Sequence, residues 1–170
     1  DQSMLLKYDP IADQFEEHKI PTDMSGPAAL ARDANGNIWF AEAQGGKIGV
    51  IDPHSGKIRE FAPDGLLGEP FALFIDSEQN VWISEHVGLS VTKFNPLLET
   101  FEKVPVSDPQ AAPFGMTSDR FENIWLAQHT VDKLGVYDPT RNEFSEVDIP
   151  TKTSFTQFVT SDKDGNVWFV

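Results

Sequence analysis

The chain has 170 residues, 39% of them hydrophobic and 24% charged, enough for one domain with a sizeable core. Its net charge of -14 argues against nucleic acid and anionic membrane as partners, since both are held by basic patches. The lack of cysteine excludes disulfides, thiolate metal sites and cysteine nucleophiles, and there is no apolar run of 18 residues of the kind that spans a bilayer.

Residues 1–20 hold two strand-like runs, Leu5-Leu6-Lys7-Tyr8 and Phe15-Glu16-Glu17-His18-Lys19-Ile20, separated by an Asp9-Pro10 turn. Pro27 to Arg32 is the next short strand, Asp33 to Asn37 a turn, and Ile38 to Glu42 the return strand. The Asp-Pro hairpin then recurs at Asp52-Pro53, and the whole pattern repeats through residue 147. Asp/Asn-Pro pairs begin at 9, 52, 95 and 138, and tryptophans stand at 39, 82, 125 and 168, a step of 43 each time. Gln79 and Glu122 occupy the turn position of Gly36 and Gly165, while Asn37, Asn80, Asn123 and Asn166 recur in every copy. The Asn is expected to hold the turn through a side chain to backbone bond. The repeated acidic residues Asp33, Asp76, Asp119 and Asp162 read as turn-stabilising, since no dense Asp-x-Asp-x-Asp calcium spacing is present.

A period of 43 residues with four short strands, and no stretch showing a clean 3.6-residue period, predicts an all-β propeller of four-stranded antiparallel blades. The predicted blades are 27–61, 70–104 and 113–147, with half blades at 1–20 and 156–170. Naming the strands A to D outward from the axis, the chain opens on C and stops on B. The halves sum to one blade, so a closed four-bladed ring is arithmetically available, but an arc of a six- or seven-bladed ring is the favoured expectation. The open edges of an arc would be met by further blades or by another chain. The recurring Trp is expected to pack between adjacent blade sheets.

The pattern Gly-Pro-x-x-Leu-x-x-Asp-x-x-Gly-Asn-Ile-Trp-Phe-x-Glu, then Lys-Ile-Gly-x-Ile-Asp-Pro-x-x-Gly-x-Ile-x-Glu-Phe, in Gly26 to Phe61 resembles a blade of the virginiamycin B lyase (streptogramin lyase) family. The likeness continues more loosely through Val104 and Val147 and covers nearly the whole chain; NHL-repeat and gluconolactonase-like propellers are more distantly similar. The resemblance implies a seven-bladed ring and a Mg²⁺-assisted elimination that opens a cyclic depsipeptide at its ester. It also implies a catalytic His and Glu where strand A begins and strand B ends, with the His after the strand A proline. At that position this chain carries Ala28, Phe71 and Phe114, with Gln157 in the fourth copy, so the family's His is absent from these blades.

Strand B ends on Glu42, Glu85 and Gln128, followed by Ala43, His86 and His129. Rotation from blade to blade should bring these to one rim, where Glu85, His86 and His129 are the catalytic candidates. An imidazole and a carboxylate suit a divalent metal, for which Glu85 and His129 are the candidate ligands, or proton abstraction beside a carbonyl. Side chains at consecutive positions of a regular strand point to opposite faces, however, so Glu85 and His86 need not share a ligand. The plain alternative is that all of these hydrogen-bond the loops between strands B and C. Glu42, Gln128, Phe71 and Phe114 are the further ligand-rim candidates, and Phe155 joins the phenylalanines that either line or fill a mouth. His18 reads as a packed strand D residue and His54 as a solvated turn residue.

Two functions follow. In one, the chain belongs to a Mg²⁺-dependent lyase or a small-molecule binder working at the rim. In the other, it is a non-catalytic propeller that scaffolds protein contacts. The start at Asp1 and the end inside a strand are read as a piece of something longer, and the compartment stays open, secreted and periplasmic locations included.

Overall fold

A computed structural model of the chain describes residues 3–108 and 110–170, so Asp1 and Gln2 of the first predicted half blade lie outside it. Among the described residues sixteen strands follow one another: β1 (Met4–Asp9), β2 (Gln14–Lys19), β3 (Pro27–Arg32), β4 (Ile38–Glu42), β5 (Lys47–Ile51), β6 (Ile58–Phe61), β7 (Pro70–Ile75), β8 (Val81–Glu85), β9 (Ser90–Asn95), β10 (Thr100–Pro105), β11 (Pro113–Ser118), β12 (Ile124–Gln128), β13 (Lys133–Asp138), β14 (Glu143–Asp148), β15 (Val159–Ser161) and β16 (Val167–Phe169). They form three four-stranded antiparallel sheets, β3 to β6, β7 to β10 and β11 to β14, flanked by the hairpins β1–β2 and β15–β16. The two hairpins are not paired with each other, so the blades form an open arc and not a closed ring. Among the described residues there is no helix, and hence none long and apolar enough to cross a membrane.

In the complete blades the second strand is buried on both faces. In β8, Val81, Trp82, Ile83, Ser84 and Glu85 are all buried, because alternate side chains feed two different cores. Val81 and Ile83 join Trp39, Ile48, Leu73 and Phe94 in the core between the first and second blades. Trp82 faces the other way, with Val91, Met116, Ile124, Leu126 and Tyr137 between the second and third. Trp39 lies 5.8 Å from Phe94, and Trp82 lies 5.9 Å from Tyr137, so each tryptophan meets the strand C aromatic of the next blade.

The turns differ from expectation in one respect. The Asn side chains donate to the turn aspartate and not to backbone: Asn37 Nδ2 to Asp33 at 2.9 Å, Asn80 Nδ2 to Asp76 at 2.9 Å, Asn123 Nδ2 to Asp119 at 2.9 Å. The same carboxylate takes the indole N–H six residues on, at 3.1, 2.8 and 2.9 Å in turn. One anion thus gathers a backbone amide, an amide side chain and the inter-blade tryptophan, since a carboxylate has about four acceptor sites. For Asp33 and Asp119 burial works to raise the carboxyl pKa, but these bonds outweigh it and hold it below the usual range. Gln79 (φ 67°) and Glu122 (φ 65°) adopt the left-handed conformation that Gly36 and Gly165 take at 90°, each donating its backbone N–H to the backbone carbonyl of the turn aspartate at 3.0 Å.

Strand A carries a one-residue bulge in all three blades, between Pro27 and Ala29, Pro70 and Leu73, and Pro113 and Met116. Where β11 meets β15, Gly115 N–H donates to Gln157 O at 2.7 Å, and a Cβ on Gly115 would stand 2.5 Å from that same backbone oxygen. Backbone cannot step aside, so Gly115→Ala should lower stability by about 1–3 kcal/mol in urea unfolding. An unchanged midpoint would show that β15 gives way freely.

Candidate functional site

Strand A begins, and strand B ends, on the same end of the arc. There the bulges place Phe71 and Phe114 side by side, ring centroids 3.8 Å apart. Both are half-buried. His86 stands edge-on to Phe114 at 5.3 Å, and His129 stacks on it at 5.5 Å. The two imidazoles are 6.1 Å apart. Phe155, whose backbone is left-handed at φ 46°, closes on His129 at 5.5 Å, and Phe158 meets Phe114 edge-on at 5.9 Å. Phe155 and Phe158 are each more than half exposed, so this rim is a partly wet aromatic surface and not a sealed core. Nδ1 of His86 and Nδ1 of His129 are buried without a protein partner. A buried ring nitrogen left unpaired is costly, and an incoming polar group would relieve it.

Ser84 holds this arrangement from behind. Its hydroxyl accepts from Ala72 N–H at 3.0 Å inside the second blade and donates to Phe114 O at 2.7 Å in the third. Alanine occupies the same position at 41 and 127, so this cross-blade tie belongs to the second blade alone. Neither Ser84 nor Phe158 stood out in the sequence. The Ala-to-Ser change within a repeating column was the available signal for Ser84; Phe158 is one residue out of the phenylalanine column and gave none.

Of the residues expected on the rim, the structure brings together His86, His129, Phe71 and Phe114. Glu85 goes elsewhere. As the last residue of β8 it faces the first blade, whereas His86 faces the third, and its side chain is 1% exposed. Its carboxylate accepts from Gly68 N–H at 2.7 Å, Ser90 Oγ at 3.1 Å, Thr92 Oγ1 and Lys103 Nζ at 3.4 Å. Glu42 and Gln128 are likewise wholly buried inside their blades, against Glu60 and Glu146 of strand D. The strand B ends thus turn into their own blades: Glu85 and Gln128 bond neighbouring strands, and neither Glu42 oxygen has a hydrogen-bond partner. Glu85 is saturated, with an ammonium beside it, and among the described residues no three His, Asp or Glu side chains are grouped to hold a metal ion. The Glu85 and His129 pair thus does not fit Mg²⁺, and no chemical step is derived through the metal.

His18, on β2, has a side chain only 10% exposed, with Nε2 3.4 Å from Glu16 Oε1. His54 lies exposed in its turn, its N–H bonded to Asp52 at 2.9 Å.

The fold and rim define a class, a β-propeller arc with a histidine–phenylalanine face at the strand A entrance. Comparison with solved structures is more particular. Virginiamycin B lyase from Staphylococcus aureus superposes at TM-score 0.92 and 22% identity over 99% of this chain and 56% of that one. So does a catalytically inactive histidine-to-alanine variant of it with quinupristin. A streptogramin B lyase matches at TM-score 0.91 and 27% identity, over 99% of this chain and 55% of its own. A gluconolactonase-type propeller follows at 0.74 and 12%. The chain has the streptogramin-lyase-like propeller fold and spans little more than half the length of the lyase structures it matches. No protein-family model and no curated protein matches the sequence.

Proposed function

We propose that the histidine–phenylalanine rim binds a largely apolar small molecule carrying carbonyl or ester groups, and that His86 and His129 meet its polar atoms. The observation that carries this reading is the pair of half-buried imidazoles with unpartnered Nδ1 atoms, set among Phe71, Phe114, Phe155 and Phe158. Phenylalanine faces supply apolar contact, while a few fixed polar atoms set orientation, the usual division of labour in small-molecule sites. The chemistry such a rim supports is elimination: an imidazole takes the proton next to a carbonyl while the ester carboxylate leaves. The lyase structures favour a cyclic depsipeptide as the ligand class, and quinupristin is the probe to use. A non-catalytic scaffold is the second reading, favoured by the burial of Glu85 within its own blade and the lack of a His after the strand A prolines.

Tryptophan fluorescence titration of the chain with quinupristin tests binding. The double variant His86→Ala, His129→Ala should weaken it about tenfold or more, with the unfolding midpoint nearly unchanged because both rings are at the rim. Equal affinity of the variant would remove the histidines from the site. Chromatographic detection of linearised product, with and without added Mg²⁺, separates turnover from simple binding.

A further inference from the structure

The loop between β14 and β15 is tied to the rim through one carboxylate. Asp132, in the turn between β12 and β13, accepts Thr153 N–H at 2.9 Å, Ser154 N–H at 2.7 Å and the Ser154 hydroxyl at 2.9 Å. Its backbone carbonyl takes Ile149 N–H at 2.9 Å. The Ser154 and Thr156 hydroxyls lie 3.2 Å apart, and Thr156 is buried, so the chain is fixed on both sides of Phe155. The Ser154 N–H above all, then the Thr153 N–H, hold the Asp132 carboxyl below the usual carboxylate range.

Of the complete blades, only the third has this tie. The turn itself recurs, since Gly46, Leu89 and Asp132 are equivalent and all left-handed, at φ 63°, 49° and 51°. Glycine and leucine offer no side-chain acceptor, so the carboxylate is what the third blade adds. Ser3, at the same place before the first blade, makes a single such bond, from Ser25 N–H at 3.0 Å. The residue secured by Asp132 is in an unusual conformation. Phe155 is left-handed at φ 46°, where its counterparts Gly26 and Glu69 stand at 59° and 52°, and Thr153 is left-handed at 52°. A bulky side chain adopts this region at a cost and keeps it where its surroundings over-determine it, as ligand clamps do. What the clamp achieves is the 5.5 Å contact of the Phe155 ring with His129, which Phe114 meets at the same distance. His86 receives no ring from this loop; Phe71 and Phe114 are its phenylalanine neighbours.

We propose that Asp132 is a positioning residue for the rim: it clamps Thr153 and Ser154 so that Phe155 seats His129, and Phe155 thereby sets which ligands the rim admits. The proposal rests on the reading of the rim as a small-molecule site. With Phe155 in place, the unpartnered Nδ1 of His129 belongs to a ring flanked by two phenylalanines. That suits a polar ligand atom carried next to an aromatic or branched apolar group. Without the carboxylate, nothing offsets the left-handed cost at Phe155, and the ring leaves His129.

Asp132→Gly is the variant of choice, because glycine already serves this turn at Gly46 and takes its positive φ without strain. Nuclear magnetic resonance of histidine-labelled chain, without ligand, reads the ring contacts. The His129 ring signals should move in Asp132→Gly to where Phe155→Gly puts them, while those of His86 stay. Asp132→Asn, which tolerates the left-handed turn and keeps one acceptor oxygen, should bring them part of the way back. Phe155→Gly should hold its urea unfolding midpoint, since it eases the backbone, and yet bind quinupristin about tenfold more weakly, as should Asp132→Gly. His129 signals unmoved by Asp132→Gly, or quinupristin affinity unmoved by Phe155→Gly, would overturn the proposal. No quinupristin binding by the unaltered chain would overturn the small-molecule reading itself, and it is told apart from failure of the clamp because the histidine signals are read without ligand.

Discussion

Asp76→Ala is expected to lower stability by about 3–5 kcal/mol, because one carboxylate lost leaves several buried donors without a partner. Asp76 accepts Asn80 N–H at 2.7 Å, Asn80 Nδ2 at 2.9 Å and Trp82 Nε1 at 2.8 Å. Asn80 and Trp82 are each 2% exposed, so the donors left behind are poorly placed to bond water in its stead. The same substitution at Asp162 is the internal control. Its partners are the same, Asn166 and Trp168 at 3.0 and 2.9 Å, but Trp168 lies mostly in solvent. Loss there should be clearly smaller. Urea unfolding of the two variants side by side decides the matter, and equal losses would mean the hub acts within the turn and not through the blade interface.

Glu42→Gln is expected to stabilise the chain at pH 8 by up to about 3 kcal/mol while leaving it nearly unchanged at pH 5. Glu42 is fully buried, and neither carboxylate oxygen has a hydrogen-bond partner. Burial, first, and then the neighbouring Glu60 carboxylate push its pKa from 4.5 up to about 7, against the opposing pull of Lys47. The folded chain therefore keeps a proton that the unfolded chain releases above pH 4.5. The stability this proton linkage supplies is fully present below pH 4.5 and drains away as pH rises to about 7. Glutamine carries no charge to bury. The third blade already uses it: Gln128 Nε2 donates to Glu146 at 3.2 Å, and Glu146 is the counterpart of Glu60. Denaturation midpoints from pH 5 to 8 should slope downward for the native chain and run flat for the variant. Parallel curves would show that Glu42 is not the group responsible.

The three strand B termini show one geometry with its charges rearranged. The first blade has Glu42, Lys47 and Glu60; the second Glu85, Ser90 and Lys103; the third Gln128, Lys133 and Glu146. Lys103 balances Glu85, and Lys133 lies 2.6 Å from Glu146, so the second and third blades are close to neutral. The first carries one carboxylate too many. That excess was present in the 43-residue columns, but it gains meaning only once strands B, C and D are known to lay those positions against one another.

What the sequence determined is whatever repeats: four strands per 43 residues, the turns, the inter-blade tryptophans and the all-β architecture. Those features are local, since Asp, Asn and Trp at spacings of four and six form the hub within a single hairpin, and each copy states it again. The rim histidines were also readable, because rotation from blade to blade carries equivalent residues to one end. The tertiary structure decided which face each strand-ending side chain takes. Glu85 and His86 are neighbours in sequence, yet pleating sends the carboxylate toward the first blade and the imidazole toward the third. It also decided that the halves stay apart as an open arc, because closure depends on the curvature summed over all the blade interfaces, a quantity no single repeat contains.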